Sequence, residues 1–481
     1  MRCDLVIRDP DFDAAIVGSG PNGLAAAILL AQRGLKVIVL EGSARLGGSA
    51  RTAELTLPGF RHDEGAAILP LATASPFFAS LPLSQFGLKW INPPAALAHP
   101  FDDGTAALLT NSIEETGTTL GPDSVPYKRL MKPLVSSWDE LRQDLLGTMR
   151  FPAHPIADSR LALKALRSAQ GLSNSHFKGS KAKGFSAGLA AHSVLPLNRI
   201  PSAAIGLIMC ITGHSTGWPI PSGGAGSISE ALGQYLISLG GKVVTGHKVK
   251  AISDLPGTGV VFYDTSPRFI LDIYSDQIPR GYRKALQGYR YGPGIFKMDW
   301  ALSGPIPWKA KECCQAGTVH LGGSQPEIAE AELAAWQGKV AARPFVILVQ
   351  PTLFDPSRAP AGKHIAWAYS HVPNGCNYDM TQYIESQVER FAPGFKDTVM
   401  ARHSSTPATL ETGNPNLVGG DIVGGAQTLR QIFCRPLCRA IPYSTPLKGV
   451  YLCSAATPPG AGVHGMCGFH AATAFLKRKQ S

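Results

Sequence analysis

The sequence predicts an α/β protein that combines a Rossmann-like nucleotide-binding domain with a second domain of α+β type. Three observations lead to this fold class. The chain has 481 residues, which is too many for one compact domain and suits two or three. A βαβ pattern with a glycine-rich turn lies near the N-terminus. A strand, a second glycine-rich loop and a helix lie near the C-terminus.

The composition is that of a well-filled globular protein. Charged residues make up 16% of the chain, below the ~25% of average soluble proteins, and hydrophobic residues make up 44%. Because this much apolar material fills a large core, disorder is excluded for most of the chain. The sequence has no signal-peptide pattern and no apolar run near the ~20 residues of a membrane span. We therefore expect a cytoplasmic or peripheral membrane protein.

The net charge of +11 is concentrated in one region. Residues 159–229 contain no Asp or Glu. Such a surface could dock on an anionic membrane, contact nucleic acid or simply be solvated. No nucleic-acid-binding module is recognisable, so we expect no nucleic-acid partner, and the other two interpretations stay open. The basic residues of this segment are Arg160, Lys164, Arg167, Lys178, Lys181, Lys183 and Arg199.

The nine cysteines do not form a redox or metal pattern. Cys313 and Cys314 are adjacent, and Cys434 and Cys438 have a C-x-x-x-C spacing. Neither pair is a redox C-x-x-C, and neither has two further ligands at zinc-site intervals. We therefore expect structural thiols and no metal site.

The N-terminal βαβ unit is complete. Residues 13–18 are an apolar run typical of a buried strand, and residues 36–40 are a second one. Between them, residues 21–33 have the Ala, Leu and Ile face of a helix, and Gly34 is placed to end it.

The turn of this unit carries the G-x-G-x-x-G pattern of dinucleotide-binding proteins. Gly18 permits the tight turn, Gly20 lets the backbone approach a pyrophosphate, and Gly23 allows the helix to pack closely on the strand. The helix N-terminus offers free N–H groups and a partial positive charge to the phosphates. Glu41 follows the second strand and is placed to accept hydrogen bonds from a ribose, which disfavours the 2′-phosphate of NADP.

A second glycine block follows at once. It contains Arg45, the doublet Gly47-Gly48 and, after Pro58-Gly59, the D-x-G of Asp63 and Gly65. This block resembles the fingerprint of the two-domain flavoproteins related to amine oxidases and phytoene desaturases. In those proteins the doublet lies along the pyrophosphate and ribityl chain of FAD. The resemblance therefore implies FAD as the cofactor.

The loop Gly223-Gly224-Ala225-Gly226 looks like a further nucleotide loop but fails the context test, because residues 218–221 before it are not a strand. We expect a return crossing into the nucleotide domain, followed by strands at residues 242–245 and 259–264.

The C-terminal stretch carries the second strong pattern. A strand at residues 449–453 leads through the glycine and proline loop 454–463 into a helix at residues 464–479. A loop that feeds a helix N-terminus is again an anion site. The motif over residues 453–472 resembles one branch of the phytoene-desaturase-like flavoproteins, which share the amine oxidase fold. The same branch is matched by residues 214–219, 291–300, 371–375, 389–394 and 416–421.

The resemblance also implies the domain organisation and the site. The Rossmann-like FAD-binding domain is built from the discontinuous segments 13–75, 222–265 and 405–478, and the α+β substrate domain from 76–221 and 266–404. The start of the last helix lies under the flavin, and His464 is the catalytic candidate; alternatively, it only caps that helix. The residues expected to bind FAD are Gly18, Gly20, Pro21, Asn22, Gly23, Glu41, Gly42, Arg45, Gly47, Gly48, Ser49, Ala66, Val249, Thr265, Ser454, Ala455, Val463, His464, Gly465 and Met466.

Four further polar residues are substrate-side candidates or ordinary structural groups: Asp299, Trp300, His371 and Asp421. The implied activity is that of an FAD-dependent dehydrogenase or desaturase. It passes hydride from a lipophilic small-molecule substrate, such as a polyene, to flavin N5, and oxygen or a quinone reoxidises the flavin. Two alternatives stay open: a redox-neutral flavin-dependent polyene isomerase and a non-catalytic FAD-binding interaction protein.

Overall fold

The computed structural model describes residues 11–148 and 151–480. The strands in these ranges are β1 Phe12–Val17, β2 Val37–Leu40, β3 Thr52–Glu54, β4 Arg61–Asp63, β5 Trp90–Ile91, β6 Ala95–Pro100, β7 Ala106–Leu109, β8 Ile220–Pro221, β9 Lys242–Val244, β10 Thr258–Tyr263, β11 Gly294–Leu302, β12 Ala316–Leu321, β13 Val346–Val349, β14 His364–Val372, β15 Val399–Ser405 and β16 Val450–Leu452.

The α-helices of the same ranges are α1 Pro21–Gln32, α2 Pro70–Ala74, α3 Pro76–Ala79, α4 Ile113–Thr119, α5 Ser124–Val135, α6 Trp138–Leu145, α7 Pro155–Ala165, α8 Ala169–His176, α9 Ser180–Ala191, α10 Ser202–Ser215, α11 Gly226–Ser238, α12 Pro267–Tyr274, α13 Arg280–Gln287, α14 Gln325–Trp336, α15 Thr381–Phe391, α16 Phe395–Thr398, α17 Pro407–Gly413, α18 Leu429–Phe433 and α19 Met466–Gln480.

A five-stranded parallel sheet has the order β16-β10-β1-β2-β9. Its strands come from the start, the middle and the end of the chain, so the Rossmann-like core is discontinuous. The predicted βαβ unit is confirmed as β1, α1 and β2. The strands predicted at residues 242–245, 259–264 and 449–453 are confirmed as β9, β10 and β16.

The second large sheet is mixed and has seven strands, in the order β15-β11-β14-β13-β12-β6-β7. Its neighbours pair antiparallel except β12 and β6, which are parallel. One side of this sheet packs on an apolar core that contains Trp300, Phe391 and Phe395. The predicted fold class, a Rossmann-like domain with a separate α+β part, is therefore confirmed, while the exact domain boundaries stay a prediction.

Helix α1 lies at the centre of the parallel sheet's packing. Its residues from Asn22 to Leu30 are buried, and α11 and α19 pack against it. A side chain at Gly468 of α19 would collide with the carbonyl oxygen of Asn22, so this glycine permits the two helices to touch backbone to backbone. The C-terminal helix is thereby fixed behind the glycine-rich turn.

The backbone N–H groups of the loop before α11 bind side chains of the protein itself. The N–H of Ala225 donates to Asp63 at 2.8 Å, and the N–H of Gly223 donates to Asp355 at 2.7 Å. Arg358 donates to the second oxygen of Asp63 at 2.9 Å, and both side chains are buried. Because carboxylates already accept these N–H groups, the loop does not offer them to a nucleotide, in agreement with the context test.

The prediction of structural thiols is wrong for one pair, because Cys434 and Cys438 form a disulfide. The other cysteines of the described ranges are free, including Cys313 and Cys314. In residues 11–148 and 151–480, no helix is long and apolar enough to cross a membrane.

Candidate functional site

A single cavity of about 1120 Å³ connects the two sheets. At one end its wall consists of the turn after β1, the residues after β2 and the loop after β16. At the other end its wall consists of side chains from β11, β13 and β14 of the mixed sheet and from helix α10. Cavities for one small ligand measure about 300 to 1,000 Å³. This cavity therefore has room for a large ligand at the parallel sheet and part of a second one at the mixed sheet.

The glycine-rich turn forms a backbone surface at the parallel-sheet end. Gly18 has a φ of +98°, a left-handed conformation that favours glycine. Gly20 precedes the first turn of α1 and has no side chain to cap it, so the turn stays open to a ligand. Gly48 packs against Gly20, where an added Cβ would be 3.3 Å from the Cα of Gly20. The two predicted glycine motifs thus meet at one place.

Glu41 lies at the carboxyl end of β2 and lines the cavity. One carboxylate oxygen accepts the N–H of Ser19 at 3.0 Å and its hydroxyl at 2.5 Å, and the other accepts the N–H of Ser43 at 2.8 Å. These bonds fix the carboxylate at the edge of the turn. Each oxygen has two lone pairs, so Glu41 keeps capacity to accept a ligand hydroxyl.

Asp264 is a residue of this wall that the sequence did not single out. It follows β10, and its carboxylate accepts the N–H of Gly23 at 2.9 Å. Burial raises the pKa of its carboxyl to about 7, against the lowering effect of the Gly23 N–H, and the nearby Glu41 adds to the rise. The sequence feature that could have identified Asp264 is its position at the carboxyl end of a strand adjacent to β1, where ligands of parallel sheets bind.

Fifteen of the twenty residues predicted to bind the cofactor line this cavity: Gly18, Gly20, Pro21, Asn22, Glu41, Gly42, Gly48, Ser49, Ala66, Val249, Thr265, Ser454, Ala455, Val463 and His464. The structure brings them together from every predicted segment of the nucleotide domain.

The remaining five do not line the cavity. Gly23 is inside α1, and Gly47 donates its N–H to the backbone oxygen of Ser19. Arg45 forms an ion pair with Glu64 at 2.5 Å.

Gly465 and Met466, which complete these five, begin the C-terminal helix. A Cβ on Gly465 would collide with the ring of Phe78. These two residues therefore hold the wall rather than form its surface.

His464 lies on the cavity wall at the start of α19. Its Nδ1 accepts the N–H of Met466 at 3.0 Å, and its backbone oxygen accepts the hydroxyl of Ser75 at 2.7 Å. Burial lowers the pKa of the imidazole to about 4, so the ring is neutral at pH 7. The observed contacts are those of a helix cap, and the ring also faces the cavity.

The mixed-sheet end of the cavity is mostly apolar but contains a buried lysine. Ile347 and Val349 of β13 and Trp367 and Tyr369 of β14 contribute side chains to its wall. Among them, Lys297 of β11 also lines the wall although its side chain is only 2% exposed. The sequence analysis had named Asp299, and not Lys297, as a substrate-side candidate on this strand.

The four substrate-side candidates are not on the cavity wall. Trp300 donates its ring N–H to Glu385, on the opposite side of the mixed sheet. His371 pairs with Glu332 at 2.8 Å. Asp421 accepts two backbone N–H groups of its own loop and a third from Gly292, which precedes β11.

The fourth of these candidates, Asp299, lies directly behind Lys297. The contacts of the other three, Trp300, His371 and Asp421, are those of ordinary structural groups.

Comparison with known proteins agrees with this geometry. Residues 16–81 match the NAD(P)-binding Rossmann-like domain family. The chain is 25% identical to pyridine nucleotide-disulfide oxidoreductase domain-containing protein 2 of Rattus norvegicus, covering 96% of this chain and 93% of the relative. It is 24% identical to the 4,4'-diapolycopen-4-al dehydrogenase of Metabacillus indicus, covering 93% of each. The chain is thus similar, over nearly its whole length, to proteins named as oxidoreductases and dehydrogenases.

This result confirms the resemblance identified in the C-terminal motif, and the match extends nearly end to end. An oxidoreductase from Methanosarcina mazei has the same fold, with a TM-score of 0.63 and 16% identity over 97% of this chain and all of that one. At this identity the structural match concerns the fold alone. The Rossmann-like core is therefore established, and the activity, cofactor and substrate are matters of proposal.

Proposed function

We propose that this protein is an FAD-dependent dehydrogenase or desaturase that oxidises a lipophilic small molecule, such as a polyene. The observation that carries the proposal is the continuity of the cavity from the glycine-rich turn to the apolar side of the mixed sheet. One ligand bound at each end would meet in the middle. FAD, when bound, accepts hydride at its flavin ring.

The residues present fit FAD. The turn at Gly18 and Gly20 approaches a ligand without side chains, and Glu41 offers carboxylate oxygens at the place where a ribose would lie. Asn22 lines the same wall, and its buried Oδ1 lacks a hydrogen-bond partner among the described residues. A buried acceptor without a partner costs ~1 to 3 kcal/mol, so a ligand donor at this place would bind favourably.

The substrate class follows from the other end of the wall. Helix α10 contributes Ile205, Ile208 and Met209, and β13 contributes Ile347 and Val349. Such a surface binds by hydrophobic burial, at about 25 cal/mol per Å² of apolar area. The role of the chain at this end is to align a C–H bond and to exclude water.

We also infer that the substrate enters from an anionic membrane surface at α7. The inner side of this helix lines the cavity with Leu161 and Ala165, while Ile156 and Leu163 on its outer side are 71% and 76% exposed. Arg160 lies on the same outer side, one turn from each of them.

Two more basic residues, Lys164 and Arg167, follow on or beside α7, and Phe151 before it is 86% exposed. Exposed apolar and basic side chains on one short helix suit the boundary of an anionic leaflet. Of the basic residues between 159 and 229, we therefore assign only the first three, Arg160, Lys164 and Arg167, to the proposed docking surface.

Reconstitution tests the proposed cofactor. The purified protein is unfolded, refolded with FAD, separated from free flavin and assayed by its absorption spectrum. We expect stoichiometric FAD in the wild type and none in Gly20→Val, because a side chain there collides with Asp264 and fills the pyrophosphate surface. Gly281→Val is the matched control, since Gly281 is exposed with open space around it.

A wild type that takes up no FAD, or a Gly20→Val that keeps it while folded, refutes the proposed cofactor. Anaerobic addition of polyenes, fatty acyl chains and amines to the loaded protein then tests the substrate class. Bleaching of the flavin by a polyene or acyl chain supports it, and bleaching by amines alone contradicts it.

A further inference from the structure

Lys297 is an unusual component of an apolar wall. Its ammonium nitrogen lies 2.5 Å from Oδ1 of Asp299 and 5.3 Å from the centre of the Trp367 ring. Both partners belong to the same side of the mixed sheet, because Asp299 is two residues along β11 and Trp367 is on the neighbouring strand β14. A buried ammonium requires such a carboxylate, since an unpaired charge in this environment is very costly.

The second carboxylate oxygen of Asp299 lies near a histidine of the neighbouring strand. Asp299 and His403 are direct partners in the antiparallel pair of β11 and β15, and Oδ2 of Asp299 lies 3.6 Å from Nδ1 of His403. Neither of these two buried atoms has a hydrogen-bond partner in the described part of the chain. Two complementary unpaired groups therefore face each other, one small side-chain rotation short of a hydrogen bond.

His403 connects this pair to the outside. Its strand, β15, is the edge strand of the mixed sheet, and its side chain is 36% exposed. The line from Lys297 through Asp299 to His403 therefore begins on the cavity wall and ends in solvent.

The other charged groups around Asp299 leave its carboxylate ionised. Burial raises the pKa of the carboxyl, but Lys297, His403 and His62 more than offset this, and the net pKa lies below the usual range. His62 of β4 lies 3.6 Å from Oδ1, and burial lowers its own pKa to about 4. The Asp63 and Arg358 pair beside His62 neutralises itself.

We propose that Lys297, Asp299 and His403 form a proton relay between the cavity and solvent. The inference rests on the proposed function, because oxidation of a C–H bond and reoxidation of a reduced flavin both move one proton in or out of a cavity that excludes water. In the inward direction, the ammonium of Lys297 gives a proton to the cavity and becomes an amine. His403 gives its Nδ1 proton to the carboxylate of Asp299 and takes one from solvent at Nε2. Asp299 then passes its proton to the amine of Lys297 and is ionised again. Release reverses the same transfers, with one proton in and one out.

The first arm of the test measures the connection and needs no cofactor. The full chain is labelled in its histidine rings, and the titration of the His403 ring is followed by NMR. Asp299→Asn lowers its midpoint by roughly 0.5 pH, because the negative partner is lost. Lys297→Gln raises it by a similar amount, because the carboxylate then acts on His403 uncompensated.

Shifts of opposite sign identify an electrostatic chain, whereas a purely structural role moves both variants alike or neither. His176 is the matched control, since it is half-buried on α8, away from these strands, and should keep its midpoint in both variants. Unchanged His403 midpoints in the folded variants overturn the relay.

The second arm measures the proton itself. In protein loaded with FAD, a laser pulse reduces the flavin through a deazaflavin radical, and a pH indicator follows proton uptake. We expect His403→Gln to slow uptake by at least about tenfold, within the range of positioned acid–base groups, and His176→Gln to leave it unchanged. Free imidazole restores the rate in His403→Ala.

Equal uptake rates in wild type and His403→Gln overturn the relay while the proposed function stands. A protein that never binds FAD refutes the proposed function, and the NMR arm then decides the relay by itself.

Discussion

Replacement of Asp264 by Asn changes how the stability of the protein depends on pH. The side chain of Asp264 is half-buried at the glycine-rich turn, and the pKa of its carboxyl is about 7 in the folded chain against 3.8 in the unfolded one. Between these two values the folded state holds a proton that the unfolded state has released. The stabilisation from this proton is fully present below pH 3.8 and is lost as the pH rises through 7.

The magnitude follows from the two pKa values. Each pKa unit corresponds to ~1.36 kcal/mol, so the carboxyl changes the free energy of unfolding by ~4 kcal/mol over the whole window. Between pH 5 and pH 8 the change is ~2.5 kcal/mol. Asn is neutral at every pH and still offers an oxygen to the N–H of Gly23. The variant therefore gains stability relative to wild type as the pH increases.

Urea unfolding followed by tryptophan fluorescence, at several values between pH 5 and pH 8, measures this difference. Asp272→Asn is the matched control, because Asp272 is exposed on α12. A difference between Asp264→Asn and wild type that is the same at pH 5 and pH 8 would refute the assignment of a protonated carboxyl at this turn.

Three further predictions concern other parts of the structure. Arg358→Met destabilises the protein by ~3 to 5 kcal/mol because Asp63 is left as a buried charge, and the additional change Asp63→Asn recovers part of the loss in the same urea assay. If the His464 ring acts as a helix cap, His464→Ala lowers the free energy of unfolding by ~1 kcal/mol and His464→Asn lowers it much less. If the ring is catalytic, both variants lose turnover equally and keep their stability. Neutralising the cations on and beside α7 weakens co-sedimentation with anionic vesicles at least about tenfold, because each cation contributes ~1 kcal/mol of binding free energy. Unchanged vesicle binding contradicts the proposed docking surface. The variants compared are Arg160→Gln, Lys164→Gln and Arg167→Gln together, and, as the control without effect, Lys178→Gln, Lys181→Gln and Lys183→Gln together.

The nucleotide end of the site was predictable because its information is local. Gly18, Gly20, Gly23 and Glu41 lie within one βαβ unit, where spacing alone determines which residues meet. The C-terminal loop and His464 were identified by their resemblance to known flavoproteins, and the structure brings them to the same wall.

The substrate end was not predictable in the same way. Lys297 and Asp299 both lie in an apolar strand, and their spacing places them on one side of it without saying which residue reaches a cavity. That depends on the pairing of β11 with β14 and β15, which joins residues up to about a hundred positions apart. The disulfide of Cys434 and Cys438 was missed because C-x-x-x-C is not a redox spacing.

The discontinuity of the parallel sheet has a consequence for how the protein is made. Strand β16 completes the sheet by pairing with β10, and α19 covers α1 from the far end of the chain. The residues of β16 and α19 have therefore to be synthesised before the apolar side of α1 is fully covered. Until then the nascent chain exposes the Ala, Leu and Ile surface of its first helix, which makes it a substrate for chaperones during translation.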